Sequence, residues 1–350
     1  MKKNILIHYK KTIREAMLLL EKTGESCLIV IDDNKKMMGT LTDGDIRRNI
    51  LKNKNFNLTL KNIFNAKPKF VYESSFEFKE VKKLMLKFKI DLVPILNSNK
   101  EVINYFTWEE IFNTKKKNKV FVKSPQLVIM AGGRGTRLRP FTNVLPKPLI
   151  PVGDKTIIEI ILDSFTSFGI NKFFISINHK SHIIKSFFKE LNFNYKVKFV
   201  EEDRPLGTAG SLRKLDKKIS SPFFLTNCDT LTKVNYLDLM KFHKKNKFLL
   251  TLVASSKDYK IPYGVCELDE DGNLEKIREK LKSNYLVNVG LYVLSPEVLK
   301  MVPRNQSYDI TDLIKDIKKR GYKVGVYPIH ESLWRDVGEW DSYKKAVENL

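Results

Sequence analysis

An apolar run, Leu127 to Met130, leads into the segment GGRGTRLRPFTNVLPKP, which extends from Gly132 to Pro148. A short apolar run followed by glycines is typical of a buried strand that ends in a loop. Such a loop exposes backbone N–H groups, and Arg137 and Lys147 add two cations to it, which favours a polyphosphate ligand. The segment therefore predicts an α/β fold with an anion-binding loop at the end of a strand.

Two well-known phosphate loops do not fit this segment. A Walker loop requires GxxxxGK[ST], whereas Gly135 is followed by threonine and arginine. A dinucleotide fingerprint opens a helix, whereas three prolines predict an extended course here: Pro140, Pro146 and Pro148. An open loop with two cations can instead wrap a triphosphate and leave its α-phosphorus open to attack.

Strand and helix patterns alternate from Gln126 onward, which predicts a mostly parallel sheet covered by helices. A helix is predicted from Thr156 to Phe168, with Asp154 as its N-cap and Gly169 as its end. The other predicted elements are strands at Leu127–Ala131, Phe173–Ile177, Val197–Glu201 and Ser221–Asp229, and a helix at Ile183–Leu191. Ligands of such sheets lie at the carboxyl ends of the strands, where Gly132 and Asp229 are placed.

Charge and cysteine content limit the possible binding partners and the cellular compartment. The net charge is +23, but the lysines are scattered and form no single stripe, which favours a solvated surface over nucleic-acid binding. The three cysteines, Cys27, Cys228 and Cys266, have neither CxxC nor metal spacing and are predicted to be reduced thiols. No apolar run approaches a membrane span, so we expect a cytoplasmic protein without a membrane partner.

The first third of the chain repeats itself. A helix pattern, a strand at Leu28–Ile31, a turn, a second strand and the string TDGDI recur as a second helix, a strand at Leu92–Leu96, a turn, a strand and TWEEI. Thr42 and Thr107 begin the two strings, and the 65 residues between them suit two small αβ units packed as a pair. A lysine-rich segment from Asn113 to Gln126 follows and is predicted to be a linker.

This repeat resembles a tandem CBS-domain pair over roughly Met1 to Lys115. The resemblance implies that Thr42 and Asp45 hold the ribose of an adenine nucleotide, whereas the second copy has Glu110 where aspartate is usual. The alternative is that the pair only packs, on the other domain or on another protomer, and CBS pairs often form homo-oligomers. The predicted domains are a CBS pair at 1–115, a linker at 116–125 and a catalytic domain at 126–350.

From Gln126 onward the chain resembles the sugar-1-phosphate nucleotidylyltransferases. The full signature GGxGTRLxPxTxxxPKP is present, and further strings match at EDRPLGTAGSL (from Glu202), NCD (to Asp229), YGV (from Tyr263), VNVGLYVL (from Val287) and WRDVG (from Trp334). The resemblance implies the nucleotide-diphospho-sugar transferase fold, a Rossmann-like, mostly parallel mixed sheet. One departure is the string REKL from Arg278, where the family commonly has Glu-Lys-Pro.

The same resemblance implies a site. Arg137 and Lys147 would bind the reacting phosphates, and Asp229 and Asp336 would hold Mg²⁺, a hard ion suited to carboxylates. The nucleotide contacts would be Ala131, Gly132, Gly133, Gly135, Thr136, Arg137, Glu202 and Gly207, and the sugar-phosphate contacts Gly264, Glu279, Lys280 and Asn288. The substrates would be a nucleoside triphosphate and a sugar 1-phosphate, and a sugar-phosphate oxygen needs no general base because it is already an anion.

Fewer residues bear on the choice of the nucleotide base and of the sugar. A carboxylate at Glu202 can accept from both N1–H and the 2-amino group of guanine, which favours GTP over uracil or thymine nucleotides. A CBS pair joined to this domain resembles bacterial guanylyltransferases for surface glycans, including those of the legionaminic acid pathway that use glucosamine 1-phosphate. Alternatives are mannose or heptose 1-phosphate as the sugar, a uridylyl-, thymidylyl- or cytidylyltransferase, and, in another class, a non-catalytic adenine-nucleotide sensor.

Overall fold

The computed structural model describes residues 2–53, 55–88, 90–112, 121, 124–190, 195–261, 263–279 and 282–348. They fall into two compact units: residues 1–117 with 256–285, and residues 118–255 with 286–350. Most of the predicted lysine-rich linker, residues 113–120 and 122–123, lies outside the described residues.

Two copies of one small αβ motif make up most of the first unit. The first copy consists of β1 (Leu6–His8), α1 (Ile13–Thr23), β2 (Cys27–Ile31), β3 (Met37–Thr42) and α2 (Asp43–Asn53). The second consists of β4 (Val71–Tyr72), α3 (Phe78–Phe88), β5 (Leu92–Leu96), β6 (Val102–Thr107) and α4 (Trp108–Phe112). In each copy the first two strands are parallel and the last two antiparallel.

Strand register confirms the predicted repeat. Cys27 pairs with Thr42 in the first copy, and Leu92 pairs with Thr107 in the second. Both pairings shift register at the same place, between Val30 and Ile31 and between Ile95 and Leu96. Corresponding residues are thus 65 positions apart (107 − 42 and 95 − 30), and the register shift occurs at the corresponding position in both copies.

A seven-stranded sheet forms the centre of the second unit, in the order β11, β10, β7, β12, β17, β14, β18. These strands are β7 (Leu127–Met130), β10 (Lys172–Ile177), β11 (Lys196–Glu201), β12 (Phe223–Asn227), β14 (Leu250–Lys260), β17 (Lys282–Leu294) and β18 (Val324–Ile329). The first four strands in that order run parallel to one another, while β17 runs antiparallel to β12. The predicted mostly parallel mixed sheet is confirmed.

Smaller elements complete the molecule. The strand pairs are β8 (Pro151–Val152) with β9 (Lys155–Thr156), β13 (Thr230–Thr232) with β19 (Trp334–Asp336), and, in the first unit, β15 (Val265–Leu268) with β16 (Leu274–Arg278). The helices are α5 (Phe141–Val144), α6 (Ile157–Thr166), α7 (Ser181–Glu190), α8 (Tyr236–Lys245), α9 (Ile310–Lys319) and α10 (Trp340–Glu348). No helix in the described ranges is long and apolar enough to cross a bilayer.

The central strand β7 is buried on both faces because side chains alternate along a strand. Leu127 and Ile129 pack into the core beneath α6 and α8, while Val128 and Met130 pack into the core beneath α9. A strand enclosed in this way can present polar groups only at its end, which is where the predicted loop begins.

Two local predictions are wrong. The N-cap of α6 is Thr156, whose hydroxyl accepts from the Glu159 N–H while the Glu159 carboxylate accepts from the Thr156 N–H, so Asp154 does not cap the helix. This capping box outcompetes a lone aspartate because it satisfies two donors. The segment around the three prolines is also not extended throughout, since it contains helical turns at Thr136–Leu138, Phe141–Val144 and Lys147–Leu149.

Candidate active site

Strand register brings the ends of three strands together. Ser176 of β10 pairs with Met130 of β7 on one side and with Val200 of β11 on the other. Two residues beyond each of these positions lie Gly132, Asn178 and Glu202, at the carboxyl ends of parallel strands. The Asn178 amide donates to the Glu202 carbonyl at 2.6 Å, so the backbones are tied at this edge.

The glycine-rich loop is held by side chains that donate to its carbonyls. Gly135 has φ +64°, and a Cβ there would lie 2.9 Å from Thr142 and 3.0 Å from Lys147, so the loop closes only with glycine. The Thr142 hydroxyl donates to the Gly135 carbonyl at 3.0 Å, and the Lys180 ammonium donates to the Thr142 carbonyl at 3.0 Å. Gly133, by contrast, faces open space.

A buried lysine and two aspartates from distant parts of the chain meet beside this loop. Lys147 forms an ion pair with Asp229, and the two side chains are only 10% and 14% exposed. Asp229 follows β12, while Asp336 is the last residue of β19, and the pairing of Thr230 with Asp336 sets the two acids side by side. The structure thus brings together three of the four predicted phosphate and metal residues.

Gly338 marks the centre of this cluster. A Cβ at Gly338 would lie 2.9 Å from Asp336 Oδ1 and 3.0 Å from Lys147 Nζ, and closer still to Asp229 Oδ2. The Gly338 N–H donates to Asp336 Oδ1 at 2.7 Å. All three charged groups therefore surround one point that only glycine leaves free.

The electrostatics of the cluster follow from burial. Burial raises the pKa of Asp336, and the nearby Asp229 charge raises it further, against the lowering effect of the Gly338 N–H, Lys147 and Arg137. Two carboxylates near one ammonium leave a net negative charge, which a divalent cation would balance. Among the described residues no group of three or more His, Cys, Asp or Glu side chains could hold a metal.

Arg137 lies at the rim of the loop. Its side chain is 62% exposed, and Nη1 donates to Glu339 Oε1 at 2.8 Å, itself an exposed group. An exposed ion pair contributes little to stability and exchanges readily for another anion. Arg137 is thus exposed and held only by a surface ion pair, and its predicted phosphate contact stays a prediction.

Glu202 is a buried carboxylate next to the loop. Its Oε1 accepts from the Ser176 hydroxyl, and its Oε2 accepts from the Leu206 N–H at 3.1 Å. A Cβ at Gly132 would lie 3.2 Å from Glu202 Oε1, so the glycine lets the loop backbone pass beside this acid. Sequence reasoning selected Glu202 but missed its partner Ser176, which no motif marks.

The segment after Glu202 is clamped to the chain before α9. Gly207 has φ +75°, and a Cβ there would lie 2.7 Å from Asp309 Oδ1. Asp309 Oδ1 also accepts from the Thr208 N–H and hydroxyl at 2.9 and 3.0 Å. Gly207 therefore has a packing role, and its predicted nucleotide contact stays a prediction, as do those of Ala131 (buried) and Thr136 (exposed).

The predicted sugar-phosphate residues are distributed over both units. Asn288, in the second unit, donates to the Tyr292 hydroxyl at 2.7 Å and accepts from the Gly290 N–H at 3.1 Å. Gly264 and Glu279 flank the β15–β16 hairpin in the first unit, and both are exposed. Lys280 lies outside the described residues.

The predicted ribose residues of the CBS copies form helix caps. Asp45 Oδ2 accepts from the Thr42 N–H at 2.9 Å and from the Thr42 hydroxyl at 2.6 Å, and Asp45 also pairs with Arg48. Glu110 Oε2 accepts from the N–H and the hydroxyl of Thr107 at 2.8 and 3.2 Å. The replacement of aspartate by glutamate thus preserves the cap in the second copy.

Burial also shifts the pKa of groups outside the charged cluster. Burial raises the pKa of the Cys27 and Cys228 thiols to about 12, which disfavours their thiolates, whereas Cys266 is exposed. His243 is buried between Thr251 Oγ1 and Ser295 Oγ, at 2.9 and 3.0 Å, and burial lowers its pKa to about 4. His243 thus has a hydrogen-bond partner at each ring nitrogen.

A cavity of about 770 Å³ lies beside the β13–β19 pair. Its walls include Phe165, Phe168, Tyr236 and Trp334. None of the predicted site residues within the described ranges lines it, although Thr230 and Arg335, the chain neighbours of Asp229 and Asp336, do.

Comparison with protein families finds matches in two parts of the chain. The nucleotidyl transferase model matches residues 126–350, and the CBS domain model matches residues 1–52. The first match begins at the predicted start of the catalytic domain. The second covers the first copy of the repeat, and the second copy has the same strand pairing in the structure.

Curated relatives carry two activities in their names. A mannose-1-phosphate guanyltransferase of Aspergillus oryzae is 31% identical over 221 residues, covering 61% of this chain and 60% of that protein. A UTP–glucose-1-phosphate uridylyltransferase of Synechocystis sp. is 26% identical over 246 residues, covering 64% and 62%. The chain thus spans about 60% of the length of the curated relatives it matches.

Solved structures match the same region. The crystal structure of HddC from Yersinia pseudotuberculosis is similar with a TM-score of 0.50 and 26% identity, covering 64% of this chain and 99% of that one. A crystallised Bacillus anthracis protein is similar with a TM-score of 0.51 and 21% identity, covering 65% and 95%, and shows the fold alone.

Proposed function

Because the nucleotidyl transferase model matches more than half of it, the chain belongs to that family, and we propose that it is a sugar-1-phosphate nucleotidyltransferase. The observation that carries the proposal is the convergence of Lys147, Asp229 and Asp336 beside an open glycine loop. In the proposed reaction a sugar-phosphate oxygen attacks the α-phosphorus of a nucleoside triphosphate in line and pyrophosphate leaves. The names of the relatives describe reactions of this class.

The chain's own residues supply positioning and charge. The nucleophile is an anion already, so the barrier falls chiefly by holding the phosphates in line and neutralising charge that develops on the leaving oxygen. Lys147 is buried and held by Asp229, so its ammonium is fixed beside the two aspartates. Arg137, exposed at the rim, would leave Glu339 to contact the departing pyrophosphate.

We propose Mg²⁺ as the metal, with Asp229 and Asp336 as its protein ligands. The two carboxylates face one point, and Mg²⁺ sites commonly use one or two carboxylates together with substrate phosphates and water. The shortage of a third protein ligand in the described residues therefore suits Mg²⁺ and would not suit structural zinc. When bound, the ion would neutralise phosphate charge.

We propose GTP as the nucleotide and glucosamine 1-phosphate as the sugar, for a surface glycan such as one derived from legionaminic acid. The Glu202 carboxylate supports guanine, which offers two adjacent donors where uracil offers one. Guanyltransferase names among the relatives support the same base and make mannose 1-phosphate the alternative sugar. The three unpaired cysteines support a reducing, cytosolic compartment.

A substrate matrix tests the proposal. Four nucleoside triphosphates are each combined with the 1-phosphates of glucosamine, mannose, heptose and glucose, and pyrophosphate release is measured with and without Mg²⁺. We expect the highest kcat/KM with GTP and a requirement for the metal. No release with any pair would contradict the transferase assignment, whereas a better rate with UTP, dTTP or CTP would contradict only the base.

A further inference from the structure

The Glu202 side chain is buried without a cation. It is 8% exposed, and its two oxygens accept from the Ser176 hydroxyl and, at 3.1 Å, from the Leu206 N–H. No lysine, arginine or histidine of the described chain forms an ion pair with it. A buried carboxylate is costly unless its charge is compensated, so two neutral donors leave this group short of partners.

The remaining acceptor capacity of Glu202 faces the loop. An ionised carboxylate has about four acceptor positions, of which the two internal donors fill half. The backbone of Gly132 passes so close that a Cβ would lie 3.2 Å from Oε1, while the next glycine, Gly133, has open space where a Cβ would be. A ligand held by the loop would meet the free lone pairs of this carboxylate.

Ser176 has no other strong reason to be a hydroxyl residue. It is fully buried in β10 between Ile175 and Ile177, where apolar side chains predominate. Its other acceptor, the Val200 carbonyl, is 3.5 Å away, at the limit of a hydrogen bond. The polar atom of Ser176 is therefore best explained by its bond to Glu202.

We infer that Ser176 is a positioning residue for base selection, which acts by holding Glu202 in one orientation. This inference rests on the proposed use of GTP. Hydrogen bonds from the Ser176 hydroxyl to one oxygen and from the Leu206 N–H to the other prevent the carboxylate from rotating. Its free lone pairs therefore keep one direction. A fixed pair of acceptors suits the N1–H and the 2-amino group of guanine, and it rejects bases that leave one acceptor unpaired.

Removing the Ser176 hydroxyl tests the inference through nucleotide discrimination. Kinetics with saturating sugar 1-phosphate compare GTP with inosine triphosphate, which keeps N1–H but lacks the 2-amino group. For Ser176→Ala we expect KM for GTP to rise about tenfold, kcat to stay within about twofold, and the GTP-to-inosine-triphosphate ratio of kcat/KM to fall severalfold, because a Glu202 carboxylate that is free to turn accepts less well from the 2-amino group of guanine.

Two further variants separate positioning from general damage. Ser255→Ala removes another fully buried serine hydroxyl, on β14 of the same sheet, and we expect it to leave the ratio unchanged. Ser176→Cys keeps the size and a weak donor, so its ratio should lie between those of the wild type and Ser176→Ala, even if the alanine variant folds poorly.

The outcomes distinguish this inference from the proposed function. A wild type that prefers another nucleotide contradicts the choice of GTP. A wild type that prefers GTP, together with unchanged discrimination in both Ser176 variants, overturns the positioning role alone. Equal losses with GTP and inosine triphosphate, accompanied by a lower Tm, also overturn it, since they indicate a purely structural serine.

Discussion

Acidic side chains near strand ends have different partners in the two units: residues close in the chain in the first unit, and residues far away in the chain in the second. In the first unit, Asp45 accepts hydrogen bonds from Thr42, only three residues before it, and caps a helix. In the second unit, Asp229 and Asp336 lie more than a hundred residues apart in the chain and meet a buried lysine, Lys147. Locally satisfied acids need no further explanation, whereas acids assembled over long distances and buried together do.

Two ion pairs show the same contrast in energy. Lys10 and Asp33 in the first unit are 2.9 Å apart, with side chains 59% and 61% exposed, so solvent screens their attraction. Lys147 and Asp229 are almost fully buried, where desolvation opposes the attraction and water gives little screening. A buried cluster of charges whose desolvation opposes folding is more naturally explained by ligand binding than by a gain in stability.

The substitution Asp229→Asn is the strongest test of this contrast between the two units. We expect pyrophosphate release to fall about a thousandfold, because the variant removes a charge that the proposed metal and Lys147 both use. Lys147 keeps Asp336 as a neighbour, so the far-UV circular dichroism should be unchanged. As the matched control, Asp33→Asn should keep full activity and leave the free energy of unfolding almost unchanged, because solvent screens its ion pair with Lys10. Wild-type activity in Asp229→Asn would remove Asp229 from the site.

Glycine-to-alanine substitutions test the same contrast by adding a methyl group in each unit. Gly338→Ala would place a methyl group among Lys147, Asp229 and Asp336, and we expect at least a hundredfold loss of activity from their displacement. Gly44, inside α2 of the first unit, has room for a methyl group, because the nearest atom would lie 3.5 Å from an added Cβ. Gly44→Ala should therefore stabilise the helix by up to about 1 kcal/mol. Thermal unfolding and pyrophosphate assays of both variants check this pair, and full activity in Gly338→Ala would contradict the geometry.

Acid sensitivity should also differ between the units. Burial lowers the pKa of His243 in the second unit from 6.5 to about 4, so folding favours its neutral form. The resulting stability is present above pH 6.5 and is lost as the pH falls toward 4, by roughly 2–3 kcal/mol at pH 4.5. His243→Gln removes this titration while keeping a donor and an acceptor. Its unfolding free energy should depend less on pH between 7 and 4.5 than that of the wild type, and parallel profiles would contradict the assignment.

The smallest expected effect concerns the caps of the first unit. Thr42→Val removes the hydroxyl that bonds Asp45, and we expect a loss of about 1 kcal/mol in unfolding free energy. Calorimetry with ATP and AMP then decides whether the pair also binds a nucleotide. Binding that is lost in Asp45→Ala would give Asp45 a second role and weaken the comparison, whereas no binding to the wild type would leave it as a cap alone.

Much of the fold follows from pattern. The apolar run at Leu127–Met130, the repeat between Thr42 and Thr107, and the strands before Glu202 and Asp229 were all placed within one or two residues, because burial imposes a periodicity that local sequence shows. Errors arose where two local signals competed. Asp154 was selected as an N-cap, but the Thr156–Glu159 box satisfies more donors. The prolines suggested an extended loop although they allow short helical turns.

The candidate site was predicted in part and for different reasons. Lys147, Asp229 and Asp336 stand in strings that resemble a family, so their types and positions were readable without any geometry. Ser176 and Glu339 stand in no matched string, and Gly338 is only the last residue of the string WRDVG, with no role predicted for it. A serine in a core strand carries no signal by itself. The structure shows their contacts as hydrogen bonds: Ser176 with Glu202, Gly338 with Asp336, and Glu339 with Arg137.

By itself, the sequence determined the repeat, the alternating sheet, the glycine loop and the identity of the charged residues, because these depend on short-range pattern and residue chemistry. Only the tertiary structure decided that Lys147 is buried against Asp229 and that a fully buried Ser176 donates to Glu202. Strand register and burial bring those groups together, and both are properties of the packed chain that no local segment specifies. The loop from Gly132 to Pro148 thus acquires its chemistry from acids far away in sequence.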